Sequence, residues 1–230
     1  MKHIVVLTGA GISANSGIAT FRDSDGLWAN HNIADVCTPE ALVNNRSVVI
    51  KFYNDRRREV IKAKPNAGHF DLNALYDGNQ VDIITQNIDD LHERAGNKHV
   101  LHLHGEIRML RSSKDPNALV PIEGVEQDET SRHPDGSLLR PHVVFFGEPV
   151  PNFERAAKIV RTADVLLIVG TSLVVYPAAS LVMDLKPGVP VIIVDPKKPE
   201  VSHIPNPYKY IQAQAQDGVK EAVDYILNLK

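Results

Sequence analysis

Residues 4–7, 81–85, 100–103, 165–169 and 191–194 are short runs in which apolar side chains follow one another instead of alternating with polar ones. A strand of that composition is buried on both faces, which happens when crossover helices cover a parallel sheet from two sides. Helical patterns separate several of the runs, so the expected fold class is α/β with a mainly parallel sheet.

Three stretches break the alternation. Residues 28–77 carry helical patterns and no strand, and are read as a helical cap. Residues 106–140 are polar and rich in Pro, Gly, Ser and Asp, a loop-rich module with little to bury; residues 141–148, "PHVVFFGE", form a lone apolar run. Residues 217–230 read as a closing amphipathic helix with Val219, Ala222, Val223, Ile226 and Leu227 on one face. With 230 residues the chain supports one sizeable domain. Segments 1–27, 78–105 and 149–230 would form its core, 28–77 the cap and 106–148 a small module.

A net charge of -3 with 43% hydrophobic and 23% charged residues points away from nucleic acid or a membrane surface as the main partner. The first apolar run is too short to span a bilayer and lacks a cleavage site, so a cytoplasmic protein is expected. Cys37 is the single cysteine, which excludes an intrachain disulfide and a multi-cysteine metal site.

Gly9, Gly11 and Ala14 match the G-x-G-x-x-G/A turn directly after the first strand, a context that sets backbone N–H groups toward a pyrophosphate. A merely tight strand-to-helix turn is the competing reading. A hydride-transfer enzyme would continue into a second strand ending in an acidic residue about 20 positions on. Here "TFRDSDGLW" occupies that place and reads as a loop, so nucleotide binding stands while hydride transfer weakens.

Gln86, Asn87 and Asp89 fall at the carboxyl end of the second run, the edge of an open α/β sheet where ligands bind. Asp89 as an N-cap for the helix carrying Leu91, His92 and Ala95 is the simpler reading of that residue. In "LHLHGE", a persisting strand would put His102 and His104 on one face and end at Gly105. His104, at the edge, suits a general base because an imidazole of ordinary pKa, roughly 6.5, is mostly neutral at pH 7. His102 reads as a packed, hydrogen-bonded core residue, and Glu106 alone does not complete a metal site.

The ordered motifs "GAGISANSGIATFRD" with "GLW", "TQNIDDLHERAG", "LHGE", "RPHVVFFGE" and "GTSLVVYPAA" resemble those of the sirtuins, NAD-dependent protein lysine deacylases, over essentially the whole chain. The resemblance implies a Rossmann-type NAD-binding sheet, a smaller module, and an acyl-lysine protein or peptide entering between them. Most sirtuins hold a structural zinc in that module with four cysteines. This chain has Ser112, Ser113, Thr130, Arg132 and His133 in the region, so a zinc-free module is expected.

In the implied reaction the acyl oxygen attacks the anomeric carbon of the nicotinamide ribose, nicotinamide leaves, and a base activates a ribose hydroxyl. His104 matches that base, and Asn87 and Asp89 complete the implied catalytic set. NAD contacts would come from Gly9, Ala10, Gly11, Ser13, Ala14, Gly17, Thr20, Phe21, Arg22 and Trp28, from Gln86, Asn87, Ile88 and Asp89, and from Gly170, Thr171 and Ser172. Residues 18–23 would be a lid in which Phe21 shields the reactive ribose. Asp195 would meet the adenosine ribose and Ala215 the adenine. Val143, Val144, Phe145, Phe146, Gly147 and Glu148 would pair with the peptide by strand addition, Phe145 standing where relatives have Trp.

Residues 48–60 are helical, with Val49, Phe52, Tyr53, Arg56 and Val60 on one stripe and Arg57 and Arg58 as solvated neighbours. A guanidinium on an apolar face needs an anionic partner, and from composition alone a structural ion pair is the simpler reading. Tyr53-x-x-Arg56, however, matches the pair that marks class III sirtuins, implying removal of succinyl and malonyl groups with some deacetylation. An ADP-ribosyltransferase and a silent NAD- or peptide-binding module are the competing functions.

Overall fold

The computed structural model describes residues 1–20, 32–202 and 204–229. In chain order its strands are β1 (His3–Thr8), β2 (Gln80–Thr85), β3 (Val100–His102), β4 (Gly105–Ser112), β5 (Leu119–Pro121), β6 (Leu139–Val143), β7 (Val165–Val169), β8 (Val191–Val194) and β9 (Tyr208–Ile211). Its helices are α1 (Gly11–Ala14), α2 (Ile33–Val36), α3 (Pro39–Asn44), α4 (Arg46–Lys62), α5 (Ala67–Asp71), α6 (Leu91–Arg94), α7 (Phe153–Val160) and α8 (Ala215–Leu227).

The main sheet is parallel throughout, in the order β3-β2-β1-β7-β8-β9. Consecutive apolar residues bury both of its faces. Val5, Leu7, Leu166, Ile168 and Ile193 meet Ala156, Ala157 and Val160 of α7 on one side. Ile4, Val6, Leu167, Val169, Ile192 and Val194 meet Val219, Ala222, Val223 and Ile226 of α8 on the other. Leu227 departs from the expected stripe and is 44% exposed, at the helix's last turn. Strand order reverses direction between β1 and β7, which opens a crevice beyond their carboxyl ends. β9 was not foreseen, because "YKYI" is an edge strand whose side chains are only partly buried. No helix among the described residues is long and apolar enough to cross a membrane.

The cap is helical from residue 33 onward. Pro39 at the start of α3 is preceded by Thr38, whose hydroxyl accepts the Ala41 N–H at 3.1 Å, a side-chain cap that fixes where the helix begins. Val36, Val49, Phe52, Tyr53 and Val60 then pack on Leu91 of α6 and on Ile107, Val143 and Phe145, so α4 is seated against the small module.

The expected loop-rich module is instead an antiparallel sheet, β5-β4-β6. Its own apolar cluster is small: Leu110, Ile122 and Leu139. Polar bonds to α4 make up for that. Arg57, expected in solvent, is 0% exposed. Its Nε donates to Ile107 O at 2.9 Å, and its Nη1 to Asn54 Oδ1 and Val125 O, both at 2.8 Å. Asn54 Oδ1 accepts the Gln127 N–H at 2.9 Å, and Gln127 Nε2 donates to Leu139 O at 2.8 Å. Arg57 is buried because α4 has two covered faces, the second one beneath this module.

Beyond α4, Ser112 Oγ donates to Asp135 Oδ2 at 2.6 Å, lies 2.7 Å from Ser137 Oγ, and accepts the Lys114 and Asp115 N–H groups. The Ser112 and Ser137 hydrogen bonds hold the Asp135 carboxyl well below the usual range. Among the described residues no group of three or more His, Cys, Asp or Glu side chains is placed to hold a metal ion.

β3 ends at His102, and Gly105 begins β4 instead of closing a longer strand. Gly105 has φ +85, and a Cβ there would sit 2.1 Å from His142 O. Only glycine fits where the chain crosses from the large sheet to the small one.

Candidate functional site

Beyond the ends of β1, β2, β7 and β8 lies a cleft of about 890 Å³. Its floor is two loops in backbone contact. The N–H of Gly9 donates to Val169 O at 3.0 Å and that of Gly11 to Gly170 O at 2.9 Å. A Cβ on Gly11 would sit 2.6 Å from Gly170 Cα, and one on Gly170, where φ is +62, 2.4 Å from Ile12 N. The G-x-G spacing therefore serves packing as well as access. α1 is only four residues long, so the long helix of a dinucleotide fingerprint is replaced by one turn ending before Gly17.

The amides after β2 tie these loops together. Gln86 Nε2 donates to Thr171 Oγ1 at 3.0 Å. Asn87 Nδ2 donates to Gly9 O at 3.1 Å and to Ser13 Oγ at 3.2 Å, and Ser13 Oγ donates to Asp89 Oδ2 at 3.0 Å. This chain of donors fixes the Asn87 amide so that Oδ1, buried and without a partner among the described residues, is the acceptor left over. Asp89 has two roles: its Oδ1 accepts the Leu91 N–H at 3.1 Å although Asp90, not Asp89, is the N-cap of α6, and it also lines the cleft. Burial raises its pKa, opposed by the Leu91 N–H, His92 and Ser13.

Two histidines clamp successive carbonyls of the same segment. His102 Nδ1 donates to Asn87 O at 2.8 Å, and its Nε2 lies 2.9 Å from Glu93 Oε1. Burial pulls its pKa down, but Glu93 and the Asn87 carbonyl outweigh it and leave it raised. His104 Nδ1 donates to Gln86 O at 2.9 Å, and burial lowers its pKa against that one hydrogen bond. A carbonyl cannot donate, so neutral His104 carries its proton on Nδ1 and leaves Nε2 as a base at the cleft wall.

Also lining the cleft, Tyr53 stacks on Phe145 with ring centroids 5.6 Å apart, and its hydroxyl donates to Cys37 Sγ at 3.3 Å. Burial raises the Tyr53 pKa well above its ordinary value. Arg56 lines the cleft and is also ion-paired with Glu59, so the structural pair and the cleft position coexist.

All of residues 143–148 line the cleft, but not as a strand. β6 stops at Val143, and the following N–H groups are taken up within the protein: Val144 N by His104 O at 2.9 Å, Phe146 N by Cys37 O at 3.0 Å. Glu148 curls the segment back, accepting the Phe145 N–H at 2.8 Å while paired with Arg140 and Arg111. Arg140 lies 4.1 Å over the Phe145 ring, which makes Phe145 a buried support for the turn.

Ala10, Ala14, Thr20, Ile88 and Ser172 also line the cleft, and so does Asp195, whose Oδ1 accepts the Lys197 N–H at 2.8 Å. Gly17 and Ala215 do not line it. Ala215 is buried with its carbonyl against Gly68, and Gln214, the N-cap of α8, takes the cleft position. Phe21, Arg22 and Trp28 lie outside the described residues. Cys37, Lys197, Lys198 and the 174–177 loop are lining residues that the sequence reading did not single out. The N–H groups of Gly9, Gly11 and Gly170 are spent on Val169 O, Gly170 O and Val194 O, so these glycines hold the two loops together and keep the cleft floor free of side chains, while the orphaned Asn87 Oδ1 offers an acceptor for a hydroxyl or amide of a dinucleotide.

The chain matches the description "Sir2 family" over residues 9–177. It is 44% identical over 230 residues to an NAD-dependent protein deacylase of Helicobacter pylori (strain ATCC 700392 / 26695), covering 100% of this chain and 99% of that one. To the NAD-dependent protein deacylase of Aggregatibacter actinomycetemcomitans it is 55% identical over 197 residues, covering 85% and 94%. Among solved structures it resembles a Sir2 homolog–NAD complex with a TM-score of 0.85 and 37% identity, covering 98% of this chain and 90% of that one. A Sir2–p53 peptide–NAD+ complex gives a TM-score of 0.79 at 29% identity, covering 96% and 92%. The motifs that stand in order along the sequence thus converge on one cleft in a fold shared over nearly full length: this protein belongs to the Sir2 family.

Proposed function

We propose that this protein is an NAD-dependent protein lysine deacylase that removes succinyl and malonyl groups, and acetyl groups as well, releasing nicotinamide and O-acyl-ADP-ribose. The observation that carries the reading is the neutral, oriented imidazole of His104 in the same cleft as the unsatisfied Asn87 Oδ1. NAD supplies the ribosyl electrophile as a consumed substrate. The side-chain-free loops Gly9–Gly11 and Gly170–Ser172 give room for its diphosphate to lie close to main chain, Asn87 and Asp89 offer acceptors for its ribose and amide groups, and His104 Nε2 an acceptor for a ribose hydroxyl proton. The relatives named NAD-dependent protein deacylases support the reaction class.

Succinyl and malonyl removal rests on a second observation. Arg56 is a nearly buried cation on the cleft wall beside the Tyr53 phenol, a pairing that suits a carboxylate at the end of an acyl chain. The small module is assigned no zinc: the chain has one cysteine, distant in sequence from that sheet, and Ser112, Asp135 and Ser137 are occupied with one another.

Mass spectrometry of NAD incubated with acetyl, succinyl and malonyl versions of one lysine peptide tests the whole reading. O-acyl-ADP-ribose should form with all three, fastest with the acidic acyl groups. ADP-ribose transferred to protein with the acyl-lysine intact would replace it with an ADP-ribosyltransferase.

A further inference from the structure

Arg56 already has a carboxylate. Its Nη1 donates to Glu59 Oε2, three residues along α4, and among the described residues this is its one hydrogen-bond acceptor. The two ends of the pair differ: the Arg56 side chain is 8% exposed and that of Glu59 50% exposed. Arg56 is held among Phe52, Tyr53 and Val60 on the cleft wall, whereas Glu59 reaches in from the solvent side of the helix. A guanidinium has five donors, and a contact through Nη1 alone leaves the fork for a bidentate partner open.

We propose that Glu59 is a built-in counter-ion of the acyl pocket, which neutralises Arg56 in the free enzyme and is displaced by the terminal carboxylate of a succinyl or malonyl group. This deepens the functional reading above and rests on it. The physical reason is that a buried cation needs a partner in every state. A neutral acyl group leaves the Arg56–Glu59 pair closed. An acidic acyl group exchanges one carboxylate for another, so its apparent affinity is the difference between two ion pairs, and Glu59 sets the discrimination between the two substrate classes.

The test is steady-state kinetics on one lysine peptide bearing either a succinyl or an acetyl group, read as the ratio of the two kcat/KM values. Glu59→Gln should raise the succinyl-to-acetyl ratio on the order of two- to fivefold, the range of a half-exposed ion pair, through a lower succinyl KM. Glu59→Asp, which keeps the charge, should bring the ratio back toward the wild-type value; acetyl turnover by the same preparations reports that they are folded. In an Arg56→Met background the Glu59→Gln change should no longer move the ratio. If Glu59→Gln leaves the ratio unchanged, lowers it, or acts through kcat, while Arg56→Met still lowers it, the counter-ion is refuted and the acyl reading survives. If Arg56→Met leaves the ratio at its wild-type value, both fall together.

Discussion

The Nδ1–H of His104 donates to the carbonyl of Gln86 at 2.9 Å, and this single bond decides which face of the imidazole is basic. Burial lowers the pKa of the ring, so it stays neutral to a pH below that of an ordinary histidine. His104→Ala should therefore reduce kcat about 10²–10⁴-fold while NAD binding, followed by calorimetry, persists. In the wild type the acid limb of the kcat profile should fall below pH ~6.5, since activity needs the neutral form and is lost only as pH drops through the lowered pKa. Near-normal turnover by the alanine variant would remove His104 from the reaction.

Arg57 joins α4 to the small sheet through Ile107 O, Val125 O and Asn54 Oδ1. Arg57→Leu fits the volume of the site poorly and takes the guanidinium donors from Ile107 O and Val125 O, each at a cost of about 1–3 kcal/mol, while Asn54 Oδ1 keeps only the Gln127 N–H. A loss of at least ~3 kcal/mol in urea denaturation is expected, larger than for Arg58→Leu, whose guanidinium is 40% exposed.

His69 is fully buried beneath Ser13, accepts the Asn66 N–H at Nδ1 and faces the His92 ring at 5.1 Å. Burial, with His92 beside it, lowers its pKa from 6.5 to about 3. The unfolded chain takes up this proton first, so the folded state loses stability as pH falls from about 6.5 toward about 3, by up to ~1.4 kcal/mol per pH unit. His69→Gln should flatten that part of the stability profile measured by urea midpoints, whereas an unchanged slope would assign it to other groups.

Metal removal offers a separate check on the small module. Dialysis against EDTA should leave the melting temperature unchanged, and elemental analysis of the purified protein should find no stoichiometric zinc. Ser112→Ala, which takes away the hydroxyl shared by Asp135, Ser137 and two backbone N–H groups, should lower the melting temperature where the chelator does not.

The main sheet was legible because consecutive apolar residues allow no other exposure, and the site because Gly9, Gln86, Asn87, His104 and Gly170 all stand where strands end. What escaped was decided by contacts between distant segments. Arg57 sits in a run of three arginines, and nothing local tells that it turns beneath the small module while Arg56 faces the cleft and Arg58 stays half-exposed; only Ile107 and Val125 do. The small sheet has too few apolar residues to signal strands and takes its stability from α4. Residues 143–148 were recognised as cleft-lining but read as extended, since Glu148 bends them through Arg111, 37 residues away in sequence. Ala215 was one position from Gln214, the residue that lines the cleft, an error set by where α8 begins.

The contact of Gly11 with Gly170 brings main chain against main chain, with no side chain between them to trim or enlarge. This part of the cleft floor is thus beyond the reach of ordinary substitution. On the proposed function, retuning the cleft toward an altered dinucleotide would fall to the adjoining loop after β8, where Asp195, Lys197 and Lys198 present side chains that can be exchanged.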